Sequence, residues 1–244
     1  MSKRIKFFIG HLSVSLILAL LVVGLVFFVW YPAPLAKAVG VTHIFLMMLI
    51  IDVILGPFLG FLVYKEGKKT LKMDLSVIIL IQALALGYGV YSIAEGRPVW
   101  LVYAIDRFEL IKNNELVDIN IQDALPQYKE KLWFQPRYVA IKLEVDSDKR
   151  SQEMFEEVFG GISLAQRPEN YVPLSSVSVQ MQERTRELEQ LQQYNDEKLV
   201  QEILDKYPAA DAFVPLKANA VDMTVLINKD KGEVVKIVDL RPWK

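Results

Sequence analysis

Three long apolar runs crowd into the first 95 residues, and they fix the architecture before anything else does. Residues 7–30 form 24 positions without a charge, residues 41–64 form 24 with the single charge Asp52, and residues 75–94 form 20 with Gln82 as the one strongly polar side chain. At 1.5 Å rise per residue each run reaches across about 30 Å of hydrocarbon as a helix. The first ends in Trp30-Tyr31-Pro32, an interfacial aromatic anchor followed by a helix stop. A cleaved signal peptide, for which Ala36-Lys37-Ala38 would be the processing site, is opposed by the length of the first run and by the two that follow. Three transmembrane helices are therefore expected.

Charge divides the chain at the same place. Residues 1–95 carry eight Lys/Arg against four Asp/Glu, and residues 96–244 carry twenty against twenty-five, so the overall net charge of −1 is a cancellation. Basic residues in short loops mark the cytoplasmic side. Three precede the first span (Lys3, Arg4, Lys6), one separates the first and second (Lys37), and four separate the second and third (Lys65, Lys68, Lys69, Lys72). This 3-1-4 pattern puts the N-terminus and the second loop in the cytoplasm and everything after residue 95 outside, which is the periplasm of a Gram-negative cell. The expected organisation is a membrane domain at 1–95, then an exported α+β domain at 96–244.

In that domain, residues 99–105 and 138–145 are rich in β-branched and aromatic residues, as strands are, and the second alternates apolar and polar as a half-buried strand does. Met154, Phe155, Val158 and Phe159 make one apolar face of a helix over 148–159. Asn195 or Asp196 caps a helix running to Pro208. The polar stretch 177–194, with Val177, Met181, Leu188 and Leu191 as a thin stripe, reads as a solvated surface helix. Residues 221–227 and 233–240 make a hairpin, with Gly232 supplying the positive φ of the turn.

Several chemistries are excluded. The chain has no cysteine, and its two histidines, His11 and His43, both lie in the apolar part. The exported region thus cannot assemble a Ser/His/Asp triad, a Cys/His dyad or a zinc site of His and Cys. An acidic exported domain is unsuited to nucleic acid. No enzyme activity, metal or cofactor is expected. Asp52 is the sharpest candidate, because an Asp at mid-membrane costs about 2.5–3.5 kcal/mol and no Lys or Arg in any span can pair with it. One turn later Gly56-Pro57-Phe58-Leu59-Gly60 combines a missing amide at Pro57 with a flat face at Gly56 and Gly60. Asp52, Gly56, Pro57, Gly60 and Gln82 are accordingly the expected helix-binding residues; packing within the protein's own bundle is the alternative. A small transporter or proton-conducting subunit built on Asp52 is a second reading, weakened by the small number of spans.

Seven fragments in this order carry a resemblance: Trp30-Tyr31-Pro32-x-Pro34-Leu35; Ile51-Asp52-Val53-x-Leu55-Gly56-Pro57; Lys68-Lys69 with Leu71-Lys72-x-Asp74-Leu75; Gln82-Ala83-x-Ala85-Leu86-x-Tyr88-Gly89; Arg97-Pro98-Val99; Asp106-Arg107-Phe108; and Ile237-Val238-Asp239-Leu240-Arg241-Pro242-Trp243. Together they resemble the TfpX/TfpZ family of type IV pilin accessory proteins, over nearly the whole chain. The resemblance implies a multi-pass protein of the bacterial inner membrane, linked to a major pilin and without known catalysis, that affects pilus assembly or pilin handling; the leading expectation is a chaperone-like protein that binds the pilin while its hydrophobic helix is in the bilayer and modulates pilus assembly or retraction, and with it twitching. Its implied partners are the type IV major pilin, membrane lipid and other pilus assembly components. It assigns no individual role to Arg97, Asp106 or Arg107.

Overall fold

The structure is a computed structural model describing residues 1–130, 132–142 and 161–244. Helix α1 spans Lys3–Gly24 and runs on as a π-helical segment, Leu25–Trp30; a short α2, Leu35–Val39, precedes α3, Val41–Val63, and α4, Leu71–Glu95. Three of these elements, Lys3–Trp30, Val41–Val63 and Leu71–Glu95, are long and apolar enough to cross a membrane. The first and third begin four residues before their apolar runs, because backbone hydrogen bonding continues past the hydrocarbon edge. At the start of α4 this extra turn is held by Asp74, which accepts from Thr70 Oγ1 at 3.0 Å and pairs with Lys68 at 2.6 Å.

Helix α3 packs against both α1 and α4, and its helical path continues through Pro57. At one end Arg4 Nε donates to the Phe61 carbonyl at 2.7 Å and Lys3 lies 3.8 Å from Glu66, so the N-terminus and the α3–α4 connection sit together. The opposite end carries the α+β domain.

That domain is built on a mixed sheet. Its strands are β1 (Pro98–Ala104), β2 (Arg107–Lys112), β3 (Arg137–Ile141), β4 (Tyr171–Val172), β5 (Arg186–Glu187), β6 (Ala212–Lys217), β7 (Met223–Asn228) and β8 (Glu233–Val238). The order is β4-β3-β1-β2-β6-β7-β8, with β5 paired to β6 off this path. Neighbours are antiparallel except β1–β3 and β2–β6. Alternation sorts the side chains onto two buried faces. Leu101, Tyr103, Phe108, Leu110, Val214, Leu216, Val225 and Ile237 share one core. Trp100, Val102, Ile111 and Val139 belong to a second core, and Phe213, Leu226 and Val238 to a third.

The loop between the first two spans enters the first of these cores. Leu35 and Ala38 of α2 are buried among the sheet residues, and the Ala38 carbonyl accepts from Ala220 N at 2.9 Å and Val221 N at 3.1 Å. Gly40 then turns the chain into α3 at φ +81°, where an added Cβ would meet Ala220 Cβ at 2.8 Å. Gly40→Ala is expected to destabilise, through left-handed strain of about 1–2 kcal/mol plus that clash. Gly24→Ala, in a helix with nothing within 4 Å, should instead gain about 0.5–1 kcal/mol. Thermal unfolding of the two purified variants should shift in opposite directions.

Two expectations are corrected. Residues 177–194 are not one helix: Ser178–Arg184 is helical, Thr185 is extended, Arg186–Glu187 forms β5 and Leu188–Gln193 is a 3₁₀ segment. Pairing of β5 with β6 breaks the helix, and Met181 and Leu191 are fully buried in two different cores. The strand expected over 138–145 is β3, with Val139, Ala140 and Ile141 all buried because the sheet is covered on both sides. Residues 143–145 and the helix expected over 148–159 lie outside the described residues. The hairpin forms as β7 and β8 with Gly232 at φ +65°. Asp196 caps the helix Glu197–Leu204 by accepting from Leu199 N at 3.0 Å.

Candidate functional site

The polar side chains of the spans meet at one point. Gln82, on α4, donates from Nε2 to Ser15 Oγ of α1 at 3.0 Å and to the Asp52 carbonyl of α3 at 3.1 Å, with Asp52 Oδ2 at 3.5 Å. Its Oε1 lies 2.9 Å from His11 Nε2. A carboxamide oxygen only accepts, so His11 carries its proton on Nε2 and donates. One side chain thus ties all three helices, in a medium where an unpaired polar group costs several kcal/mol.

Gly56 makes this knot possible. A Cβ there would overlap the Gln82 carboxamide, so the bare backbone of α3 is the surface across which Gln82 reaches. Gly60 is likewise occupied: a Cβ would meet Phe7 Cε1 at 2.9 Å and His11 Nδ1 at 3.4 Å. Gly56, Pro57 and Gly60 are all buried. The flat glycine face expected for a foreign helix is therefore turned onto α1 and α4 of the protein itself.

Two open grooves flank the knot. One of about 570 Å³ lies between α3 and α4, walled by Ile44, Met47, Ile51, Leu55, Ile81 and Ala85. The other, about 410 Å³, lies between α1 and α4 and is walled by Phe7, Val14, Leu18, Ile79 and Ala83. Asp52 and Gln82 line both. Each groove is thus an apolar, helix-walled trough with one polar spot. Along α4 the first groove presents Ala85 and Ser92, small exposed residues that let a backbone come close, while the bare face of Gly89 between them is covered by Met48.

Arg97 occupies a different place, the junction of spans and sheet. It is 1% exposed. Its Nε and Nη2 donate to the Leu132 carbonyl at 3.1 and 2.7 Å, its Nη1 donates to the Ala94 carbonyl, and its guanidinium lies 4.9 Å from the Trp133 ring centroid. Burial lowers its pKa, opposed by the Glu95 carboxylate and by Tyr31. Beside it Tyr31 donates to the Ile93 carbonyl at 2.8 Å, and burial pushes its phenol up. Trp30 Nε1 donates to the Trp133 carbonyl at 3.1 Å, and Asn113 Nδ2 to Glu95 at 2.9 Å.

Asp106 and Arg107 form a third group with the closing residues. Arg107 donates to Asp106 at 2.8 Å, which holds that carboxyl below its ordinary value. The Arg107 and Arg186 guanidinium groups lie 5.3 and 5.7 Å from the Trp243 ring centroid, and Trp243 Nε1 donates to Asp222 at 2.6 Å. Arg241 donates to Asp239 and to the Asp222 carbonyl, while Lys37 of α2 reaches the other Asp239 oxygen at 2.6 Å. These contacts fasten the chain end to β2, β5 and the first interhelical loop. The sequence carries no local signal for Asn113, Leu132 or Asp222 in these roles, since each acts through a partner far along the chain. Among the described residues, no set of three or more His, Asp or Glu converges as a metal site does.

Comparison with known proteins places the chain among its relatives. Residues 1–40, covering the first span and α2, match the family described as Fimbrial assembly protein FimB. The chain is 34% identical over 168 residues to a fimbrial assembly protein of serogroup I from Dichelobacter nodosus, an alignment covering 68% of this chain and 65% of that relative. The serogroup E1 protein of the same organism matches to the same extent. The chain thus spans just under two thirds of the length of these two relatives. A third protein from that organism, of serogroups C1 and C2, is 38% identical over 119 residues, which is 48% of this chain and 88% of the relative. No solved structure matches. With a relative matched over most of its length at that identity, the chain belongs to the fimbrial assembly protein family.

Proposed function

We propose that this protein is a non-enzymatic, chaperone-like assembly factor of the bacterial inner membrane that receives the hydrophobic helix of a type IV pilin while it is still in the bilayer. The observation that carries the reading is the open α3–α4 groove, in which Asp52 and Gln82 are polar lining residues among apolar ones. A helix in bilayer gains little from apolar contact alone, so a groove with close-approach residues and one hydrogen-bonding spot is the kind of surface that selects a helix over lipid. The relatives' description as fimbrial assembly proteins supports a role in pilus assembly, and the resemblance to pilin accessory proteins favours a pilin as the partner. The glycine face, engaged inside the bundle, supports the knot, and Asp52 and Gln82 remain as the contact residues.

Photocrosslinking groups at Ile51 and Ala85, on the groove, are expected to capture co-expressed pilin. One at Phe28, which is 76% exposed on the π-helical continuation of α1, should capture lipid. Asp52→Leu should reduce pilin capture, normalised to protein level, roughly 3- to 20-fold, the equivalent of about 0.6–1.7 kcal/mol for one interhelical hydrogen bond. Asp52→Asn should reduce it less. Equal capture from Ile51, Ala85 and Phe28 would remove the groove from the reading. Deletion with complementation tests the wider role: loss should change pilus number or twitching, and unchanged pili would sink it.

The orientation proposed with it has the N-terminus in the cytoplasm and the α+β domain in the periplasm, a reading supported by the loop charges. A reporter active only outside the cytoplasm should be on when fused after Arg97 or at the C-terminus and off at Lys69. Activity at Lys69 would reverse the arrangement.

A further inference from the structure

Leu132-Trp133-Phe134 is held where the spans end. The Leu132 carbonyl takes two hydrogen bonds from Arg97, whose third goes to Ala94 in the last turn of α4. The next carbonyl, of Trp133, takes the indole N–H of Trp30, the last residue of the first span. The backbone of this loop is therefore pinned between the outer ends of two membrane helices. Yet its two aromatic side chains stay uncovered: Trp133 is 61% exposed and Phe134 73%.

Two large exposed aromatics side by side are an unfavourable surface for water. At the level of helix ends they match a different environment. Tyr91, 62% exposed on α4, lies four residues before Glu95, about 6 Å along the helix axis. Tyr91 is thus an exposed aromatic near the end of the spans, Trp30 being buried beneath the loop, and Trp133 and Phe134, contributed by the folded domain, add to it. Arg97 over the Trp133 ring adds a cation–π contact that orients the indole.

We infer that Trp133 and Phe134 form a membrane-interface anchor, by which the α+β domain inserts side chains into the lipid headgroup–acyl boundary beside the spans. The ligand is the bilayer surface itself. The anchor fixes the height and tilt of the domain above the groove and leaves one rotational setting, because the pinned carbonyls and the inserted rings lie on the same loop. The inference rests on the three spans being embedded, and is independent of which partner the groove takes.

The native chain has no cysteine, so single-cysteine labelling is unambiguous. Full-length Phe134→Cys carrying an environment-sensitive fluorophore, reconstituted in phosphatidylcholine vesicles, should be quenched by lipids bearing a spin label near the top of the acyl chain and shielded from iodide, with a depth of ~5–10 Å. Phe28→Cys serves as the bilayer reference and Lys231→Cys, exposed on the β7–β8 turn, as the aqueous one. Quenching at 134 by iodide to the extent seen at 231 would overturn the anchor. Shielding at 134 from both quenchers would overturn it too, since a protein surface and not lipid would then be covering the loop.

Discussion

Arg97→Met should be among the most damaging single changes in the chain. Methionine keeps much of the stem's volume but withdraws all three guanidinium hydrogen bonds, leaving the Leu132 carbonyl without its donors and the Ala94 carbonyl with backbone N–H groups alone. A buried carbonyl left without a donor costs about 1–3 kcal/mol, and the last turn of α4 also loses the cation that complements its dipole. On a scale where 1 kcal/mol moves Tm by about 2–4 °C, the melting point in nanodiscs should fall on the order of 5–20 °C. Arg97→Lys should recover part of the loss, because one compact ammonium cannot satisfy both carbonyls with the fork geometry of a guanidinium. Trp133→Ala removes only the stacked ring, for which about 0.5–2 kcal/mol is at stake, and its melting point should fall between those of Arg97→Lys and the native protein. Equal stability of Arg97→Met and the native chain would mean that the junction does not hold domain and spans together.

That junction also shows where reading the sequence stops. The three spans are visible in it because membrane helices are written locally: about 20 apolar residues in a row suffice, and aromatic or basic flanks mark the edges. The β7–β8 hairpin is visible for the same reason, with Gly232 at its turn. Arg97, Asp106 and Arg107 stand out only as motif residues, because what each touches is far away in sequence: Arg97 binds Leu132, and Arg107 lies against Trp243. The same distance hides the burial of Leu35 and Ala38 in the sheet's core, since a five-residue helix in a loop carries no periodicity from which to infer its burial. Residues 177–194 mislead for a different reason. Their apolar spacing is helical, and no Gly or Pro marks the break at Thr185; it is pairing with β6, a contact 27 residues away in the case of Arg186 and Phe213, that overrides local preference.

Gly56 and Gln82 are legible one by one as a small residue and a polar residue in membrane helices, while their contact across α3 and α4 is not, and that contact sets the second large effect. In Gly56→Ala the new methyl falls on the Gln82 carboxamide. Gln82 cannot swing away without releasing His11, Ser15 and Asp52 together. The substitution therefore combines overpacking, about 1–3 kcal/mol, with loss of hydrogen bonds that have no water to replace them. Steady-state membrane abundance and melting temperature should both drop, and Gly56→Leu should leave little folded protein. Gln82→Ala alone should be milder, because it breaks the knot but creates no clash. The double variant Gly56→Ala/Gln82→Ala should then be more stable than Gly56→Ala, with a coupling of about 0.5–3 kcal/mol between sites in contact. A glycine face reserved for an incoming pilin helix predicts another pattern: Gly56→Ala would leave abundance and melting unchanged, lower pilin crosslinking from Ile51, and gain nothing from Gln82→Ala. Strictly additive effects of the two substitutions on stability would separate Gly56 from Gln82 and return the glycine to the partner.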